Sequence, residues 1–289
     1  MLKNSETMSK ILVEETKKLG VHFNSNTFAH KDSVGANLAF SDCENIYWKV
    51  YQPLYVGRAI KDIQVSAMLE NFVPTFSSLS TEILELCDGY VATLWPWVDV
   101  TPVVKKNEYE VLEIVSKIHS LPSSVTPDMP PRDINALREL IESRCVKASL
   151  GNPTYEILKG LPTRLHESVV QLSEGKEKIL CHGDAHGQNF GVNSGSVIIF
   201  DWELCSTDTR EWDLSLLLLS HYWGDKHHVT VDDLDGDKDY IKASAAFRAS
   251  SQVARFLANG RVDYAAYLFE DIKNFAPDAL SKKQLALFD

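Results

Sequence analysis

The chain has 289 residues, 44% of them hydrophobic and 24% charged, the balance of an ordinary soluble globular protein with room for one large or two medium domains. A formal net charge of −11 argues against a nucleic-acid backbone as partner and is compatible with a cationic substrate. Five cysteines without paired spacing point to reduced thiols and a cytoplasmic home, the early charges Lys3, Glu6, Lys10, Glu14 and Glu15 leave no secretory signal, and no apolar run approaches the ~20 residues of a membrane span.

In chain order, Met8, Ile11, Leu12, Val13 and Leu19 predict an amphipathic helix over residues 8–19, closed by Gly20. Short runs at Val21–His30, Gly35–Ser41 and Ile46–Tyr51 then read as three strands of an antiparallel sheet. Lys49 stands among apolar residues of the third. If its head is buried it needs a counter-charge; otherwise it faces solvent in the strand's alternation. Residues 59–69 read as a helix ended by Val73-Pro74, and Tyr90–Val98 as a strand stopped by Pro96, with Trp95 and Trp97 read as core, or else as lining a cleft or acceptor site. From Thr101 the pattern turns helical. Val111, Leu112, Val115 and Ile118 follow helical spacing up to His119, read as a packed, hydrogen-bonded core histidine. Helices are predicted over 133–148 and over 154–174, the latter split at Pro162. Leu214 and Leu216–Leu219 predict a helix, Asp213–Tyr222, that is apolar all round and central to the second half, and 238–258 and 262–274 read as two more helices.

The chemistry concentrates between Leu180 and Asp213. Asp184 follows a short apolar run, Lys178–Cys181, that reads as a buried strand ending in a loop. Asn189 lies five positions on, and Asp201 closes a second apolar run, Val197–Phe200. Between them Asn193-Ser194-Gly195 signals a turn, so Phe190–Val192 and Ser196–Phe200 form a hairpin whose ends return to one place. Asn189 enters it and Asp201 leaves it, so their side chains are expected to meet beside Asp184. Two oxygen ligands, Asn189 and Asp201, suit magnesium, a hard cation that shares its shell with phosphate and water. Asp184 is then left to orient a substrate hydroxyl and accept its proton, the division of labour used by protein kinases.

His182-Gly183-Asp184-Ala185-His186-Gly187-Gln188-Asn189, followed by Phe200-Asp201-Trp202-Glu203 and Glu211-Trp212-Asp213-Leu214, resembles the aminoglycoside phosphotransferase and choline kinase family. The resemblance runs over residues 30–260 and is strongest over 180–214. It implies an α+β, two-lobed protein-kinase-like fold. A small antiparallel-sheet N-lobe (1–97) would carry the nucleotide, a larger, mainly helical C-lobe (98–289) the acceptor, with a nucleotide cleft between them. It implies Lys49 as the strand lysine that holds the α- and β-phosphates and Asp62 as the helix carboxylate that steadies it, with Glu70 as the alternative. Tyr90–Val98 would be the connector that reads a purine edge. The family's phosphate-covering loop is reduced here to Gly35 in Ser33–Asn37. The implied reaction moves the γ-phosphoryl group of ATP or GTP, with Mg2+, to a hydroxyl of an antibiotic or similar polar metabolite. A housekeeping kinase of choline or sugar type is the alternative, and a nucleotide-binding pseudokinase regulator is the non-enzyme one; the intact Asp184, Asn189 and Asp201 speak against the last. The expected partners are a nucleoside triphosphate and a small hydroxylated acceptor, with no nucleic acid and no membrane.

Three rival motifs fail on their own terms. Asp232, Asp233, Asp235, Asp237 and Asp239 suggest a calcium loop, but with Gly236 at its sixth position the first and twelfth fall on Val231 and Lys242. His182 and His186 have zinc-like spacing without the glutamate and helix that motif requires; His182 is read as a brace for the loop, and His186 as orienting Asp184 or touching substrate. Gly183-Asp184-Ala185-His186 also resembles one block of the two-metal phosphoesterases, but no Gly-Asn-His block follows.

Overall fold

The structure is a computed structural model that describes residues 5–18, 29–31, 37–41, 46–125, 128–219 and 229–288. The expected strand residues 21–28, the loop around Gly35 and the expected helix residues 220–222 lie outside them. The chain packs as two compact units, one made of Met1–Pro102 with Asn189–Cys205, the other of Val103–Gln188 with Ser206–Asp289.

The first unit is built on a five-stranded antiparallel sheet. Its strands are β1 (Ala29–Lys31), β2 (Asn37–Ser41), β3 (Ile46–Tyr51), β4 (Leu84–Glu85) and β5 (Val91–Pro96), in the spatial order β1-β2-β3-β5-β4. β3 alternates. Ile46, Trp48 and Val50 are buried on one face, where Leu12 and Val13 of helix α1 (Ser5–Lys18) and Ala92 and Leu94 of β5 join them in one apolar cluster. The Trp48 indole N–H donates to the Thr16 hydroxyl at 3.0 Å, which in turn donates to the Leu12 carbonyl. Lys49 and Tyr51 point the other way, toward helix α2 (Val56–Leu69), whose buried positions Ala59, Asp62, Ile63, Ser66 and Leu69 recur at helical spacing.

A three-stranded sheet completes this unit: β6 (Thr101–Pro102), β8 (Phe190–Asn193) and β9 (Ser196–Ile199), in the order β6-β8-β9. The β8–β9 turn is two residues, Ser194 and Gly195, both at positive φ, the geometry whose twist suits a tight hairpin. At Gly191 a Cβ would meet that of Val100 at 2.7 Å, so the close approach of strand and chain requires glycine. The sequence divides the lobes at residue 97; by packing, the first unit continues to Pro102 and takes in Asn189–Cys205, because β6 pairs with β8 and the turn Trp202–Leu204 packs on α2.

The second unit is mainly helical: α3 (Glu108–His119), α4 (Ile134–Gly151), α5 (Leu161–Ser173), α6 (Arg210–Leu217), α7 (Lys238–Ala258), α8 (Val262–Phe275) and α9 (Lys282–Leu285), with one antiparallel pair of strands, β7 (Ile179–Cys181) and β10 (Ser206–Asp208). Pro162 sits in the first turn of α5, where its missing N–H costs nothing, and residues 153–158 form a separate short turn. The leucine-rich helix is buried, as expected, but it ends at Leu217. The central place belongs to α7, against which α4, α5, α6 and α8 all pack. Ala243, Ala245, Ala246, Ala249 and Ala254 of α7 are buried, and side chains this small let neighbours approach from several sides. The aspartates around Gly236 have local partners: Asp237 caps the first N–H groups of α7 and pairs with Lys176 at 2.9 Å, while Asp233 accepts from Thr230 in the turn before it.

Candidate active site

In the first unit three carboxylates converge on the Lys49 ammonium. Its Nζ lies 2.7 Å from Asp201 Oδ1, 2.9 Å from Glu203 Oε2 and 3.0 Å from Asp62 Oδ2. Burial opposes the charge on Lys49, but Asp201 and Asp62 together hold its pKa well above the usual lysine range. The Asp62 carboxylate serves two further donors. Oδ2 also accepts the Tyr51 hydroxyl at 2.8 Å, and Oδ1 accepts the backbone N–H of Trp202 at 2.8 Å. It therefore ties β3 and α2 to the segment that follows β9. Glu70 is exposed and accepts instead from the Ser77 hydroxyl.

Asn189 and Asp201 stand at the two ends of the hairpin, which is closed at its base by the Phe200 N–H donating to the Asn189 carbonyl at 3.1 Å. Asp201 has φ 72°, a left-handed conformation that short polar side chains tolerate and that other residues adopt at a cost. Two positions on, the turn Trp202–Leu204 brings Glu203 back to Lys49. Glu203 stands in the Phe200–Glu203 motif, which assigned it no role. A hard divalent cation suits this donor set. Asp62, Asp201 and Glu203 offer carboxylate oxygens within 4.8 Å of one another, an acidic excess over the single ammonium among them.

In the second unit β7 delivers the segment His182–Gln188. Its backbone is held by a buried carboxylate: Asp213, in the first turns of α6, accepts the N–H of His182 at 2.6 Å and of Gly183 at 2.7 Å. His119 completes the clamp, with Nε2 3.2 Å from Asp213 Oδ2. Burial alone would raise the pKa of Asp213, but His119, His182 and the Gly183 N–H keep it below the usual carboxylate value. Cys181 lies in the same cluster, with both Asp213 oxygens already taken by backbone N–H groups.

Asp184 itself is oriented from two sides. His186 Nε2 lies 3.4 Å from Asp184 Oδ2, and the Gln188 N–H donates to His186 Nδ1 at 3.2 Å, which leaves the ring proton on the nitrogen facing the carboxylate. His182 is fully buried, and its Nδ1 accepts the Asp184 N–H at 3.2 Å. Arg248 of α7 brings Nη2 within 3.7 Å of Asp184 Oδ1. Burial would raise the Asp184 pKa; His186 and Arg248 reverse that and hold it well below the usual carboxylate range. The group is an ionised acceptor at neutral pH. Asp213 lies in the Glu211–Leu214 motif, which assigned it no role, and Arg248 lies in no motif; the peptide groups that both hold are distant in sequence. Neither His182 nor His186 belongs to a three-donor metal cluster among the described residues.

Comparison with known proteins places the chain. The family model described as the phosphotransferase enzyme family (APH) matches residues 61–246, and the chain belongs to that family. It is an enzyme that transfers phosphate to hydroxyl groups. No curated protein sequence matches the chain significantly. Among solved structures it is similar to spectinomycin phosphotransferase APH(9)-Ia in complex with ADP and spectinomycin, at 15% identity and TM-score 0.62, over 93% of this chain and 98% of that one. It is similar to the GDP and kanamycin complex of APH(2″)-IIIa, at 14% identity and TM-score 0.65, over 96% and 100%. A third likeness is to a thermostable mutant of aminoglycoside phosphotransferase APH(4)-Ia in a ternary complex with ADP and hygromycin B, at 11% identity and TM-score 0.63, over 96% and 100%. The fold is the two-lobed, protein-kinase-like α+β fold, with a small sheet-bearing lobe and a larger helical one. No helix among the described residues is long and apolar enough to cross a membrane.

Proposed function

We propose that the protein transfers the γ-phosphoryl group of ATP or GTP to a hydroxyl of an antibiotic or a similar polar metabolite, in a magnesium-dependent reaction. The observation that carries this reading is the cluster of Lys49 with Asp62, Asp201 and Glu203. A fixed ammonium among metal-competent carboxylates is the equipment for a triphosphate. The similar structures, solved with ADP or GDP and with spectinomycin, kanamycin or hygromycin B, support a nucleotide donor and an antibiotic acceptor. The net charge of −11 suits a cationic acceptor.

In this reading Asp184 orients the acceptor hydroxyl and accepts its proton as the new bond to phosphorus forms. Its ionised carboxylate is ready for that role, and His186 fixes its rotation. Lys49 donates to the α- and β-phosphate oxygens, and Asp62 keeps the ammonium in place. Asn189 and Asp201 would hold magnesium, with Glu203 as a further carboxylate at Lys49; when bound, the ion offsets charge on the phosphate oxygens. Positioning and electrostatics supply the rate, since the protein forms no bond of its own to phosphorus.

The test is a screen for ADP and GDP release over a panel of antibiotics and hydroxylated metabolites, with the Asp184→Asn protein as blank. Release that depends on one acceptor and on Asp184 supports the reading and names the substrate. A signal with choline or a sugar alone would move the protein to metabolite kinases. Silence across the panel, with nucleotide still bound, would favour a regulator.

A further inference from the structure

The clamp around Asp184 contains a cation that the proposed reaction does not itself require. Arg248 is buried in the middle of α7. Its Nη2 donates to the Gly183 carbonyl at 2.7 Å and its Nη1 to the Trp212 carbonyl at 2.9 Å. The same Nη2 lies 3.7 Å from Asp184 Oδ1, an ion-pair distance rather than a hydrogen bond. The guanidinium also lies over the Trp212 indole, 4.6 Å from its centroid. A second guanidinium backs the same carbonyl: Arg132 Nη2 donates to Gly183 O at 3.1 Å and to the Ser206 hydroxyl at 3.2 Å, while Arg132 Nε lies 3.4 Å from Asp208.

We infer that Arg248 is a positioning residue that fixes the Gly183–Asp184 peptide and aims the Asp184 carboxylate; the inference rests on reading Asp184 as the acceptor of the hydroxyl proton. Three observations carry it. Gly183 has φ 83°, a conformation with little intrinsic preference, so the direction of its carbonyl is set by what it bonds to. That carbonyl already has a donor in Arg132, and the Gly183 N–H already has Asp213, so a purely structural brace is in place without Arg248. What Arg248 adds is the link from the Trp212 carbonyl to the carboxylate. Only a planar fork spans the Gly183 carbonyl, the Trp212 carbonyl and Asp184 at once, which a lysine ammonium on a flexible stem does not do. A misplacement of about 1 Å at a reacting group costs on the order of 100-fold in rate.

The experiment uses the whole chain, with ATP and GTP plus magnesium and water as the acceptor, so that no substrate need be known. Diphosphate release is followed for wild type, Asp184→Asn, Arg132→Ala, Arg248→Ala and Arg248→Lys, with circular dichroism as the fold control. The inference expects Arg248→Ala and Arg248→Lys to lose about 100-fold in kcat, with the nucleotide KM within about threefold of wild type. It expects millimolar guanidinium chloride, but not sodium chloride, to restore at least about tenfold of the loss in Arg248→Ala, by returning the missing fork. If Arg248→Ala does not fold, Arg248→Lys carries the test through its kcat and KM alone. Turnover near wild type in a folded Arg248 variant, a loss confined to KM, or no recovery with guanidinium would overturn the inference. Equal rates in wild type and Asp184→Asn would instead remove the reading of Asp184 beneath it. A silent Asp184→Asn beside an unaffected Arg248→Ala removes only the role of Arg248.

Discussion

Lys49 Nζ and Asp201 Oδ1 lie 2.7 Å apart although 152 positions separate them in the chain. The link joins the third strand of the sheet to the end of the hairpin, and it sets the residue proposed to grip phosphate against a residue proposed to hold the metal. Asp201→Ala should therefore uncouple the two. Lys49 retains Asp62 and Glu203, so the fold should survive with the melting temperature lowered by only a few degrees, as for an ion pair with one half-buried partner. Titration calorimetry with ATP should then show affinity that no longer changes between magnesium and EDTA. An unaltered magnesium dependence would sink the assignment.

Asp62 is the structural member of the cluster. Its carboxylate is almost completely buried and serves Lys49, Tyr51 and the Trp202 N–H. Asp62→Ala leaves a buried ammonium short of one counter-charge and two other donors without this partner. The expected loss in urea denaturation is about 3–5 kcal/mol. Asp62→Asn should lie between, since its amide oxygen still accepts one donor.

Acid should unfold the second unit in a defined direction. The pKa values of Asp184 and Asp213 are both depressed from an ordinary 3.8, the first by His186 and Arg248, the second by His119 and the Gly183 N–H, in each case against burial. The unfolded chain thus binds protons there before the native one does. The stability these carboxylates contribute is fully present above their unfolded value and is lost as pH falls from about 4 toward their folded values. A melting-temperature series from pH 3 to pH 7 should show a steep acid fall, and the slope should be shallower in Asp213→Asn. A variant slope equal to wild type would remove Asp213 from the explanation.

Gly191→Ala tests the close approach beside the hairpin. The added methyl would meet the Val100 side chain at 2.7 Å, and forcing such overpacking costs about 1–3 kcal/mol. Val100→Gly, which removes the Cβ that is met, should restore part of that packing loss, a coupling that a double-mutant cycle reads directly.

Local signals made much of this legible beforehand. The hairpin could be read because Asn193-Ser194-Gly195 states its own turn, and β3 because apolar residues alternate on either side of Lys49. The contact of Glu203 with Lys49 was hidden because it depends on a short turn after a left-handed Asp201, which no periodicity announces. The roles of Asp213 and Arg248 were hidden for another reason. They act on the backbone of Gly183 from 30 and 65 positions away, and peptide groups leave no mark in the sequence. The central place of α7 was missed because hydrophobicity draws the eye to the leucines of α6, whereas several helices gather round small alanines.

The most direct test of the central claim is the turnover of Asp184→Asn set against its nucleotide affinity. The carboxamide keeps the shape of the side chain and loses its capacity to take a proton. The account predicts a fall in phosphoryl transfer of about 10²–10⁴-fold, the usual worth of a positioned general base, with the dissociation constant for ATP or GTP within about threefold of wild type. Turnover within a few-fold of wild type, at unchanged affinity, would contradict it.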